Sequence, residues 1–193
     1  PGDCYQSVWK VVYPYLPTSL LPAYMTRLYE GKHSTLTANM PVRCALSLYY
    51  FEAHCLESEE NFRLGLGGIT KSGSPSLGNS GGTHVYINSS GAVWLSRREV
   101  HTSLTVFPDG IQPGDIIGIG WYDPPASKHA GRFFFTRNGS ICTYSDFQFS
   151  PLSTRTRYLW PMFYGVDSNV VFNFGVHKPF AFPIENIEEL LKH

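Results

Sequence analysis

An aromatic run, Phe133 to Thr136, leads into Asn138-Gly139 and is followed by a second short run, Ile141 to Tyr144. Asn-Gly tolerates the positive φ angles that both central residues of a type I′ turn require, so this segment predicts a β-hairpin. A two-residue loop also predicts the register. One face should carry the pairs Phe135–Cys142 and Phe133–Tyr144, and the other face should carry Phe134 and Ile141. Because both faces are apolar, we expect the hairpin to lie centrally in a sheet.

The composition extends this expectation to the whole chain. Of the 193 residues, 42% are hydrophobic and 15% aromatic, and there are 18 glycines and 14 prolines. Such a composition favours many short strands and tight turns over long helices. A chain of this length suits one domain with a sizeable core. The sequence therefore predicts a single all-β domain over residues 1–193.

The charge balance excludes two classes of partner. Lys plus Arg and Asp plus Glu both number 15, so no global field attracts nucleic acid or an anionic membrane surface. No apolar run approaches the ~18 residues that a membrane-spanning helix needs. We expect neither nucleic-acid binding nor membrane insertion by this domain. The opening Pro1-Gly2 lacks a methionine, and we expect a monomeric domain excised from a larger protein.

The four cysteines, at positions 4, 44, 55 and 142, form no Cys-x-x-Cys motif and show no zinc spacing with histidine. We expect free, mostly buried thiols and an intracellular protein, either cytoplasmic or nuclear. The alternative is a secreted or lumenal domain with two disulfides. Two glycosylation sequons, at Asn88 and Asn138, are consistent with that alternative.

The remaining segments predict further strands. Apolar runs at 46–53 and 62–66 read as an antiparallel pair, and the glycine-rich stretch 67–83 reads as a long loop. A hairpin is predicted from 84–87 and 92–95. In Ile116–Trp121, Gly118 and Gly120 leave one face bare, and we expect a second backbone to pass close to it. The last strands are predicted at 158–164, where Pro161 requires an edge or a bulge, and at 169–174, before a short helix over 184–192.

The catalytic signals are weak. His54 and the glycine-flanked Ser80 superficially resemble protease motifs, but no aspartate lies between them, and Ser80 lies in the glycine-rich stretch rather than on a strand-to-helix elbow. His54 and Cys55 are neighbours on a predicted strand, so their side chains should point to opposite faces. We expect no enzyme activity, no cofactor and no metal site, and hydrolysis through His54 and Ser80 is the weakest alternative.

Seven short motifs in fixed order resemble the SPRY domain. They are Tyr49-Tyr50-Phe51-Glu52, Phe62 to Gly67, Gly114 to Gly118, Phe134 to Gly139, Trp160-Pro161, Asn173-Phe174-Gly175 and Pro179-Phe180. The ending after Asn173 is most similar to the branch containing the Ran-binding protein of the microtubule-organising centre and fungal ubiquitin-ligase adaptors. One departure is Thr83 to Gly91, where many members have a Gly-Asp-Asp-Gly stretch, so the ligand is expected to differ.

The resemblance implies a two-layer antiparallel β-sandwich, a concanavalin-type jelly roll with short terminal helical segments. Residues 1–45 would form an N-terminal extension and the first strands, 46–182 the core, and 183–193 a helical tail. It also implies a protein–protein interaction module that binds a short peptide through end loops, with a role as substrate receptor or adaptor in a ubiquitin-ligase assembly as one expectation. By motif position, the peptide-binding residues would be Asn39, Met40, Pro41, Trp94, Phe163, Tyr164 and Gly165. The alternative is a lectin-like sandwich that binds carbohydrate, because exposed aromatic residues stack on sugars.

Overall fold

The computed structural model describes residues 25–27, 34–38, 42–43, 48–56, 61–69, 75–77, 84–97, 100–122, 132–144, 158–165, 170–175 and 178–187. These residues form fourteen strands. In chain order they are β1 (Met25–Arg27), β2 (Ser34–Ala38), β3 (Val42–Arg43), β4 (Leu48–Cys55), β5 (Arg63–Ile69), β6 (Pro75–Ser76), β7 (His84–Asn88), β8 (Ala92–Arg97), β9 (Val100–Thr105), β10 (Ile116–Tyr122), β11 (Arg132–Arg137), β12 (Ser140–Tyr144), β13 (Tyr158–Gly165) and β14 (Val170–Asn173).

The strands pair into two antiparallel sheets. The large sheet runs in the order β1-β2-β13-β5-β7-β8-β9, with β3 beside β13 and β6 beside β5. The small sheet runs in the order β12-β11-β10-β4-β14. The prediction of an all-β, two-layer antiparallel sandwich is therefore confirmed. In the described part of the chain, helical structure is confined to a 3₁₀ turn at Ile184–Asn186 and the residue after it, and no helix there is long and apolar enough to cross a membrane.

The main core lies between the sheets, where alternate residues of each strand point inward. Leu64 and Phe163 of the large sheet and Phe51 and Ile119 of the small sheet are all at most 2% exposed. The rings of Phe163 and Phe172 meet edge to face across the two layers, with centroids 6.2 Å apart. Because the inward faces of both sheets form this core, only their outward faces can contact a ligand.

A second, smaller core covers the outer face of the small sheet. Phe182, Ile184 and Ile187 of the C-terminal segment pack on Tyr50 and Phe134 there. We use "C-terminal segment" for residues 178–187. The predicted terminal helix begins as the 3₁₀ turn, and residues 188–192 lie outside the described part of the chain.

The predicted pairing of the runs at 46–53 and 62–66 is wrong. Strand β4 belongs to the small sheet, between β10 and β14, whereas β5 belongs to the large sheet, between β13 and β7. The connection crosses from one layer to the other. Both strands are buried on at least one face, so their composition alone does not distinguish a hairpin from such an arch.

The Asn138-Gly139 turn is present, but the predicted register holds for only its first two pairs. Asn138 and Gly139 have φ angles of 52° and 80°, as a type I′ turn requires. A bulge between Phe135 and Thr136 then sets Phe135 opposite Thr143 and Phe134 opposite Tyr144. The hairpin is not central, because β12 ends the described order of the small sheet. The outer face of β11 is apolar because the C-terminal segment covers it.

Three smaller expectations are also corrected. Pro161 lies in a central strand, at the gap where the neighbour of β13 changes from β3 to β2, so no ladder bond is lost on that side. The bare face of β10 meets side chains rather than a backbone, since the Tyr50 hydroxyl faces Gly118 and the Phe134 ring covers Gly120. The stretch 67–83 is not wholly loop, because β5 continues to Ile69 and Pro75–Ser76 pairs with it.

Candidate functional site

An exposed row of flat side chains crosses the outer face of the large sheet. The strand alternation creates it: Leu64, Ile87, Val93 and Phe163 point into the core, so their neighbours in sequence point outward. Those outward neighbours are Tyr164 on β13, Arg63 on β5, Tyr86 on β7 and Trp94 on β8. We call these four residues the outer stack. They lie on four adjacent strands, so the sheet backbone holds each in place.

Each member of the outer stack contacts the next one on the neighbouring strand of the sheet. The guanidinium carbon of Arg63 lies 5.6 Å from the ring centroid of Tyr164 and 5.4 Å from that of Tyr86. Both distances suit a cation–π contact. The Tyr86 ring stacks with Trp94 at 6.5 Å between centroids and 15° between planes. Arg63 is therefore held between two tyrosines, and its charge is available at the centre of an aromatic surface.

Exposure differs along this face. Trp94 is 36% exposed and Tyr164 is 37% exposed, so both present ring surface to solvent. Tyr86 is half-buried, and its ring also stacks on that of His84, which is buried, at 5.6 Å. Burial raises the pKa of the Tyr86 phenol, and the charge of Arg63 opposes this effect. Tyr86 therefore keeps its proton at neutral pH and remains a hydrogen-bond donor.

The structure separates the predicted site residues into three groups. Trp94 and Tyr164 belong to the outer stack, but they lie within strands rather than in end turns. The Phe163 side chain is 2% exposed and packs against Phe62 in the core, so it offers no surface to a ligand. A Cβ atom at Gly165 would lie 2.9 Å from the Phe62 Cβ, which gives this glycine a packing role. Asn39, Met40 and Pro41 lie outside the described residues.

Arg63 and Tyr86 were not predicted from the sequence, and they join Trp94 and Tyr164 into one surface. Arg63 pairs with Tyr164 and lies two residues from Gly65, which in turn pairs with Tyr86. The absence of a side chain at Gly65 makes room for Tyr86, because a Cβ atom there would overlap the Tyr86 Cα and the Val85 carbonyl oxygen. The alternation of Arg63 and Gly65 with Leu64 and Leu66 was a usable signal for an outward face.

The described residues, which do not include Ser80, offer no assembled nucleophile. His54 and Cys55 point to opposite faces of β4, as predicted, with Cys55 in the main core. Burial, and then the nearby Asp115 carboxylate, raises the pKa of the Cys55 thiol to about 12, so it is not a thiolate at neutral pH. Cys142 is a free, exposed thiol, and Cys4 and Cys44 lie outside the described residues. No cluster of three or more metal-binding side chains occurs among the described residues.

No family model matches the chain, and no curated protein matches it. Among solved structures, a human SPRY domain is similar at 18% identity and a TM-score of 0.49, over 82% of this chain and 100% of that one. The SPRY domain of human HERC1 is similar at 15% identity and a TM-score of 0.46, over 76% and 82% of the two chains. A carbohydrate-binding module, CBM66 from Bacillus subtilis, is similar at 7% identity and a TM-score of 0.44, over 78% and 89%.

These likenesses concern the fold alone, because the identities are low. SPRY domains are among the structures that this chain is similar to, as the sequence motifs predicted. A carbohydrate-binding module is similar as well. A shared fold does not fix the ligand of a protein, which depends on the chemistry of its surface.

Proposed function

We propose that this chain is a non-catalytic protein-interaction module that holds a short peptide of a partner protein on the outer stack. The observation that supports this most is the continuous contact Tyr164–Arg63–Tyr86–Trp94 on adjacent strands. Tyr, Trp and Arg are the residue types that dominate the energy of protein interfaces. Strands fix their positions before any ligand arrives, so little ordering entropy opposes binding.

The chemistry of the outer stack indicates the kind of peptide that it would take. Trp94 and Tyr164 offer apolar ring surface at the two ends, which suits aromatic or aliphatic side chains of the peptide. Arg63 between them offers a planar cation, which pairs well with a carboxylate. We therefore propose a peptide that carries an acidic residue flanked by apolar ones.

Carbohydrate binding is the second candidate, and one observation supports it. The rings of Tyr86 and Trp94 are within 15° of parallel and lie on an open sheet face, and aromatic rings of this kind can also stack on sugar rings. A sugar has no need for the Arg63 cation unless it is acidic. Saturable binding on a glycan array that is lost in Trp94→Ala would favour this candidate over the peptide.

The proposal extends to the role and location of the protein. A module that binds without reacting can recruit substrates for another enzyme, and the motif resemblance to ubiquitin-ligase adaptors supports a substrate-receptor role. Free thiols at Cys55 and Cys142 support an intracellular setting. Proximity labelling in cells with a fusion of the full chain tests both ideas. Labelled ubiquitin-ligase subunits are expected, and exclusive labelling of secretory-pathway proteins would contradict both.

A peptide-display screen tests the peptide proposal. The wild-type protein should enrich a motif with an acidic residue, and Tyr164→Ala and Trp94→Ala should each weaken the best peptide by about 30-fold, which corresponds to ~2 kcal/mol. Arg63→Gln should weaken acidic peptides more than neutral ones. Leu104→Ala is the control, because Leu104 is 43% exposed on the edge strand β9 and outside the outer stack. Equal binding by wild type and all three outer-stack variants would refute the assignment.

A further inference from the structure

A groove of about 450 Å³ lies on the opposite side of the molecule, on the outer face of the small sheet. Its floor is one row of cross-strand neighbours, since His54 on β4 pairs with Ile116 on β10 and with Val171 on β14. Val171 is 54% exposed, the largest exposure among the large hydrophobic residues of the described chain. One wall is formed by Lys178, Pro179 and Phe180 of the C-terminal segment. The outer stack and this groove share no residue.

The groove exists because the C-terminal segment covers only part of the sheet face. Glu52, in the next row of β4, accepts hydrogen bonds from the backbone N–H groups of Ala181 and Phe182, each at 3.0 Å. These bonds hold the segment over Tyr50 and Phe134. The described residues leave the row that contains His54 uncovered beside it. The apolar floor is therefore a fixed product of the fold.

The charges around the groove favour an anion. Lys178 is exposed and forms no ion pair with the residues that the structure describes. Glu52 is the opposing carboxylate, but it is 3% exposed and its two oxygens already accept four hydrogen bonds, from Tyr50, Asn173, Ala181 and Phe182. Among the described residues, the charge at this groove that has no ion-pair partner is therefore positive.

We propose that this groove binds an apolar carboxylate, with the apolar body on Ile116 and Val171 and the carboxylate at Lys178. The volume lies within the ~300–1,000 Å³ of small-molecule sites, and apolar walls with a few polar groups are the usual lining of such sites. The imidazole of His54, at the centre of the floor, adds a hydrogen-bonding group. The same chemistry is offered by a free aryl or alkyl acid and by the terminal carboxylate of a hydrophobic peptide.

Titration of the ¹⁵N-labelled full chain with naphthalene-2-carboxylate, followed by two-dimensional NMR, tests the proposal. Amide shifts should saturate at His54, Val171 and Lys178, with a Kd at or below about 1 mM. Naphthalene-2-carboxamide should bind the same residues more weakly, and 2-naphthylmethylamine should bind weakest. Absence of saturable shifts at these residues, or equal affinity for the acid, amide and amine, would overturn the proposal.

Two variants separate the apolar and the charged parts of the site. Val171→Glu places a like charge on the floor and should weaken the carboxylate by about tenfold or more, whereas Leu104→Glu, a matched change on the edge of the other sheet, should leave its Kd unchanged. Lys178→Gln should weaken the carboxylate by about two- to fivefold, the range of an exposed ion pair, and leave the carboxamide unchanged. An unchanged Kd in Val171→Glu would refute the site.

A final comparison distinguishes the two sources of the carboxylate. A hydrophobic tripeptide with a free C-terminus should compete with naphthalene-2-carboxylate if the groove takes chain termini, and its C-terminal amide should not. Competition by dodecanoate but by neither tripeptide assigns the groove to free acids. Competition by neither dodecanoate nor the tripeptide acid would contradict the proposal, since both carry the proposed chemistry. Peptide binding at the outer stack is scored separately, on Trp94 and Tyr164, so the two proposals fail independently.

Discussion

Replacing Glu52 with glutamine should detach the C-terminal segment from the small sheet. Oε1 of Glu52 accepts the Tyr50 hydroxyl and the Phe182 N–H, both at 3.0 Å, and Oε2 accepts the Ala181 N–H at 3.0 Å and the Asn173 amide at 3.3 Å. Glutamine keeps one oxygen and turns the other into an NH₂ group. Whichever way the amide is oriented, a donor then faces donors.

The expected cost follows from these contacts. A hydrogen bond to a charged group contributes about 1.5–3 kcal/mol, and a buried donor left unpaired costs about 1–3 kcal/mol. Glu52→Gln loses the charge at four bonds and leaves at least one backbone N–H without an acceptor. Because the asparagine side chain and the tyrosine hydroxyl can reorient in part, we expect a loss of about 2–4 kcal/mol in the free energy of unfolding.

Urea unfolding followed by tryptophan fluorescence measures this loss, and hydrogen exchange at Ala181 and Phe182 locates it. Glu185→Gln is the matched control, because Glu185 is an exposed glutamate of the same segment. Its free energy of unfolding should change by less than about 0.5 kcal/mol, as is usual for surface substitutions. A Glu52→Gln protein with unchanged stability and unchanged protection of Ala181 and Phe182 would refute the role given to this carboxylate.

Other substitutions and conditions test the packing. Gly65→Ala should lower the free energy of unfolding by about 1–3 kcal/mol, because the new Cβ would overlap backbone atoms of Val85 and Tyr86. In calorimetry, its melting temperature should be lower than that of Gly114→Ala, where φ is 88° but nothing lies within 4 Å. The reverse order of melting temperatures would contradict the close packing described at Gly65. Raising the pH should destabilise the fold, because burial raises the pKa of the Cys55 thiol from 9.0 to about 12. The thiol of the unfolded chain ionises first. The contribution of Cys55 to the free energy of unfolding is therefore fully present below pH 9.0 and is lost between pH 9.0 and 12, by up to about 1.4 kcal/mol per pH unit. Urea midpoints from pH 8 to 10 should fall less steeply in Cys55→Ala than in the wild type, and identical slopes would show that this thiol is not buried as described.

The strands were predicted well from the sequence, because the pattern that indicates a strand or a turn depends on only a few adjacent residues. The positive φ angles of Asn138 and Gly139 and the hairpin between β7 and β8 both follow from short-range turn chemistry. The register beyond the turn failed because a bulge at Phe135 depends on packing against the rest of the sheet.

Non-local pairing explains most of what the sequence did not predict. Nothing near Phe62 indicates that the chain has just crossed to the other layer, so β4 and β5 read as partners. The same limit applies to the site: Trp94 and Tyr164 could be named from motifs, but their connection through Arg63 and Tyr86 depends on which strands become neighbours. The groove at His54 needs the C-terminal segment to fold back across the sheet, which no periodicity in that segment indicates.

The most direct test of the central claim is a two-dimensional NMR map of the full chain bound to the strongest peptide from the display screen. The account predicts that shifts concentrate on Arg63, Tyr86, Trp94 and Tyr164, with little change in the small sheet. Perturbations confined to the small sheet, or spread over residues outside the outer stack while these four stay unshifted, would contradict it.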